Sequence, residues 1–129
     1  TLRIPVNNSI AEMDMLVLSL VKILIDSMNE KKITSQLTGS YEKLVGSISK
    51  LEAWLVEKNI ENSDEHIKFL RNLQELRSSG TGHRKGKGYQ KITKTLDMKN
   101  ENYAETFSNL LNCATDFINF MDANLENMV

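Results

Sequence analysis

Residues 103–125 read YAETFSNLLNCATDFINFMDANL, and their apolar positions decide the fold class. Tyr103, Phe107, Leu110, Ala114, Phe117, Met121 and Leu125 recur at spacings of 4, 3, 4, 3, 4 and 4. That spacing lines one face of an α-helix. A stripe this regular is the seam of a helix packed on other helices.

The same period runs outward through the rest of the chain. Ile67, Leu70, Leu73 and Leu76 mark an earlier helix. Asn62-Ser63-Asp64-Glu65 reads as its start, with Asn62 or Ser63 as cap and two acids facing the helix dipole. This helix should fail at Gly80-Thr81-Gly82. Before it, Leu37, Tyr41, Leu44, Ile48, Leu51 and Leu55 recur at 4, 3, 4, 3 and 4 and predict one long helix. Gly39 and Gly46 weaken it locally, by about 1 kcal/mol each relative to Ala.

In the first segment Ile10, Met13, Val17, Leu20, Leu24 and Met28 form a stripe that Leu16, Ile23 and Ile25 widen. A helix apolar on so much of its circumference is central, or faces both its own core and a second subunit. No segment alternates with period two, so no strand is expected. The prediction is an all-α four-helix bundle forming one domain over residues 1–129, with a long basic connection between the third and fourth helices. Inside that connection Tyr89, Ile92 and Leu96 suggest a short accessory helix.

Composition agrees and excludes several classes. The 129 residues include one Pro, six Gly and 40% hydrophobic side chains, which fits one folded domain and neither a collagen-like nor a disordered chain. The lone Cys113 cannot form an internal disulfide, which points to the reducing cytoplasm, and it is expected to be a small packed residue. Two His and one Cys, with no pairing at helical ligand spacing, give no metal site, and no cofactor is implied. The most apolar stretch, residues 15–25, is interrupted by Ser19 and Lys22, so no membrane span is expected. Because the chain starts at Thr1, it is expected to be a piece of a longer protein with missing partner domains.

Charge is where function shows. Net charge is −1, from 16 Lys and Arg against 17 Asp and Glu. Residues 77–99 hold seven basic side chains (Arg77, Arg84, Lys85, Lys87, Lys91, Lys94, Lys99) and only Asp97 in opposition, a charge of +6 on a body of −7. That asymmetry marks a nucleic-acid or anion contact. The run does not form a phosphate loop: the glycines before Gly86-Lys87 are misplaced, no strand precedes them, and no Ser or Thr follows Lys87.

Arg77 falls on the apolar stripe of the third predicted helix, and His83 follows six residues later. Residues 76–87, LRSSGTGHRKGK, with an Arg and a His separated by five residues at the end of the third helix of a bundle, resemble the active-site motif of the HEPN superfamily. The resemblance implies a metal-independent endoribonuclease domain of a defence or toxin system, acting on RNA as a homodimer that unites two Arg/His pairs. Arg77 and His83 are then its catalytic pair. Ser78, Arg84, Lys85, Lys87, Lys91 and Tyr89 are its substrate-binding residues, with the cations on the phosphates and Tyr89 stacked on a base. Ser78 stands where many members carry Asn, Asp or His.

The chemistry fits those residue types. Imidazole exchanges protons near neutral pH, and a guanidinium keeps its charge and presents a planar fork to phosphate oxygens. Other readings stay open. Arg77 can cap helix carbonyls or pair with Glu75 or an acid of the last helix, while His83 can be an ordinary exposed loop residue and the basic run a solvated loop. His66 is expected at the surface, and Trp54 and Tyr41 in the core or an interface. Two further functional readings are an inactive HEPN-like bundle that dimerises or binds RNA or a nucleotide, and a plain helical protein-interaction domain.

Overall fold

The computed structural model describes residues 10–80 and 103–124. They form a four-helix bundle with one additional short helix, and no strand occurs among them. Helix α1 (Ile10–Val21) runs directly into a π-helical turn, Lys22–Asp26. Short α2 (Glu30–Ser35) follows, then α3 (Gly46–Glu57), α4 (Asp64–Gly80) and α5 (Tyr103–Ala123).

Helix α1 is the central element, packed mainly on α4 and also on α5, while α3 joins α2 to α4. Its inner face buries Met13, Leu16, Val17, Leu20 and Val21, and the π turn adds both Leu24 and Ile25. Leu24 and Ile25 continue, four residues on, the adjacent buried pairs Leu16/Val17 and Leu20/Val21. Ile23, expected to widen the buried stripe, is instead 55% exposed. The seams of α4 (Ile67, Leu70, Leu73, Leu76) and α5 (Phe107, Leu110, Ala114, Phe117) are buried as their spacing predicts.

The long helix predicted from Leu37 to Leu55 is corrected. Residues 36–45 are irregular, and α3 begins only at Gly46. Gly46 has φ +84°, a left-handed backbone that glycine adopts without a Cβ clash, and Val45 before it is extended. Glu57, at the far end of α3, supplies a competing partner for the loop backbone. Its Oε1 accepts hydrogen bonds from the backbone N–H groups of Thr38 at 2.8 Å and Gly39 at 3.0 Å, and from the Thr38 hydroxyl. Those bonds, the Thr38 hydroxyl first, hold the Glu57 carboxyl below its usual range.

Tyr41 therefore lies on this loop, 39% exposed and outside the core. Trp54 is buried, with its ring N–H donating to Gln36 Oε1 at 3.1 Å. At the start of α4, Asn62 takes φ +63°, and the Ser63 carbonyl accepts the first helical bond, from Ile67 N–H at 3.0 Å. Among the described residues no helix is long and apolar enough to cross a membrane. The predicted accessory helix at Tyr89, Ile92 and Leu96 lies outside the described residues.

Leu73 is 0% exposed at the contact of α4 with the bundle interior, so Leu73→Ala is expected to cost about 2–5 kcal/mol in urea denaturation. Val56→Ala, at a side chain 68% exposed, is expected to stay within about 0.5 kcal/mol.

Candidate functional site

Arg77 stands in the last turn of α4, where a cation is favoured by the carbonyl end of the helix. The π turn at the end of α1 brings Asp26 to it, with Nη1 and Oδ2 3.1 Å apart. The Arg77 side chain is about a third exposed and that of Asp26 about half exposed, so the pair sits at the rim of the bundle. Arg77 is thus tied to the end of the first helix, by a partner the sequence did not suggest. Fifty-one positions separate the two residues, and no local spacing signals their meeting.

Ser78 is exposed, and its hydroxyl donates to the Gln74 carbonyl at 3.2 Å, back along its own helix. His83, Arg84, Lys85, Lys87, Tyr89 and Lys91 lie outside the described residues. Of the predicted site, then, the structure describes Arg77 and Ser78, consecutive on α4.

One turn before Arg77 a groove of about 330 Å³ opens between α4 and the start of α3, lined by Ile25, Gly46, Ser47, Arg71 and Gln74 among others. Arg71 is committed to Glu52 at 2.7 Å. Gln74 Oε1 is shielded from solvent and accepts no hydrogen bond from the described residues. Ile25 at the groove's edge is the neighbour of Asp26, so groove and ion pair share the π turn.

A second polar cluster lies between α4 and α5. His66, expected at the surface, is half-buried: its ring stacks on Phe120 with centroids 4.3 Å apart and tilts against Phe117 at 6.1 Å. The aromatic pair on α5, three residues apart, builds the slot. Burial lowers the His66 pKa from its ordinary value, opposed by the carboxylates of Asp116 and Glu65. Cys113, expected to be packed, is exposed at the edge of the α5 seam. Partial burial pushes its thiol up, and Asp116 and Glu65 push in the same direction, so it is a poor thiolate.

A scan against protein-family models and searches of curated proteins and of solved structures found no match to this chain.

Because His66 binds its proton less readily when folded, the unfolded chain takes up more protons just below pH about 6.5, the ordinary imidazole value. Stability is therefore full above that pH and falls as pH drops toward the lowered folded value. His66→Phe keeps a ring in the slot and is expected to flatten this part of the urea midpoint-against-pH curve. An unchanged slope in the variant assigns the loss to other groups.

Proposed function

We propose that the chain is a HEPN-like endoribonuclease domain that cleaves RNA without a metal, with Arg77 and His83 as its catalytic pair. The observation that carries the reading is the position of Arg77. It is partly exposed at the end of α4, steered by Asp26, at the point where the chain enters its +6 segment. A positioned guanidinium next to a dense run of cations suits a polyanionic backbone.

In the proposed reaction the ribose 2′-oxygen attacks the adjacent phosphorus while the bond from phosphorus to the 5′-oxygen breaks. One proton leaves the 2′-hydroxyl and one reaches the 5′-oxygen. His83 carries one of these transfers, and Arg77 stabilises the charge that builds on the phosphate oxygens. The products are a 2′,3′-cyclic phosphate and a 5′-hydroxyl. Arg84, Lys85, Lys87 and Lys91 hold the strand, Tyr89 stacks on a base, and Ser78 lies beside the Arg on the substrate side of the helix. The proposed setting is cytoplasmic, within a defence or toxin protein acting as a homodimer.

A second reading is favoured by two contacts at the same place. Asp26 already neutralises Arg77 in part, and the Ser78 hydroxyl is spent on its own helix. An inactive bundle that holds RNA or a nucleotide through the basic segment needs nothing more from either residue.

The two readings separate in one assay. Incubated with RNA in EDTA, the chain is expected to release cyclic-phosphate ends, with His83→Ala and Arg77→Ala each slowing cleavage about 10²–10⁴-fold while helical circular dichroism is retained. Salt-dependent binding without turnover gives the second reading, and activity unchanged in His83→Ala removes His83 from the mechanism.

A further inference from the structure

Short α2 leaves a gap in the bundle. It packs on α3 and contributes one buried side chain, Ile33, which together with Leu24 of the π turn, Leu51 of α3 and Phe117 of α5 lines a cavity of about 160 Å³. Two partly buried methionines, Met28 and Met121, complete the apolar wall. Protein interiors keep few voids larger than a water molecule, and an apolar cavity of about 150 Å³ is enough to take in a benzene ring. Flexible thioether side chains adjust to the shape of what they surround.

Polar side chains enter the lining at one place only, where exposed Asn29 and Lys32 border the mouth. Asn29 Oδ1 accepts from the Lys32 backbone N–H at 3.1 Å, which fixes the amide and leaves its NH2 group as a donor. The Lys32 ammonium makes no ion pair among the described residues. Glu30, the acid of the same short helix, is committed to Lys50 at 2.7 Å and leaves that charge standing.

We propose that this cavity binds a small aliphatic carboxylate, with its chain among Leu24, Ile33, Leu51 and Phe117 and its carboxylate at the mouth, on Lys32 and Asn29. The apolar wall selects the chain, because each methylene that enters leaves water. One cation beside one amide donor selects an anion, since an alcohol gains less there and an ammonium is repelled. The volume limits the buried chain to about six to eight carbons. No residue of this cavity belongs to the RNA site proposed above, so the two readings stand or fall separately.

Titration of octanoate into the full chain, followed by calorimetry and by methionine methyl NMR, tests the proposal. Saturable one-to-one binding is expected, with the Met28 and Met121 methyl signals shifting while that of Met15, exposed on α1, stays in place. Octanoate is expected to bind about 3–10-fold more tightly than 1-octanol, and Lys32→Glu, at an exposed position outside the core, to remove that preference. Binding that does not saturate, methyl shifts that miss Met28 and Met121, or equal affinities for octanoate in the wild type and in Lys32→Glu overturns the proposal.

Discussion

The π turn at Lys22–Asp26 is the constraint on which the rest of this structure depends. At about 100° per residue a regular α-helix would carry Ile25 roughly 40° further round than Val21, away from the inner face, and the wider turn takes up that drift. The wider turn buries both and leaves Ile23 outside. It also swings Asp26 to the end of α4, so one local irregularity closes the hydrophobic interior and supplies an ion-pair partner for Arg77. Such turns recur where a helix serves a site as well as a core.

The seams of α4 and α5 were legible because their spacing alone settles which residues turn inward. The later half of α3 was legible for the same reason, since Ile48, Leu51 and Leu55 are all buried. The first half of that stripe misled: Leu37, Tyr41 and Leu44 keep helical spacing, yet Gly46 at positive φ and the Glu57 carboxylate bound to Thr38 and Gly39 stop the ladder. A side chain eighteen or nineteen positions away decided the backbone there, and periodicity carries no record of it.

The candidate site was legible in type and only partly in geometry. A lone Arg on an apolar stripe next to a basic run singled out Arg77, but its bond to Asp26 depends on the π turn, and apolar spacing does not show a π turn. His66 was misplaced for a related reason: its own helix gives it a surface position, whereas Phe117 and Phe120 of α5 cover it. Both misses arise where two elements distant in sequence meet. The separation of charge was legible from the start: the acidic remainder of the chain carries one cationic segment that begins at Arg77 in the last turn of α4.

The joint between the end of α1 and the end of α4 is open to direct measurement. A double-mutant cycle of Asp26→Ala and Arg77→Ala, read by urea denaturation at low ionic strength, isolates their coupling. For a pair this exposed the account predicts a favourable coupling of about 0.2–1 kcal/mol that fades with added salt. Strict additivity of the two substitutions would contradict it, because Asp26 would then not be what holds Arg77 in place.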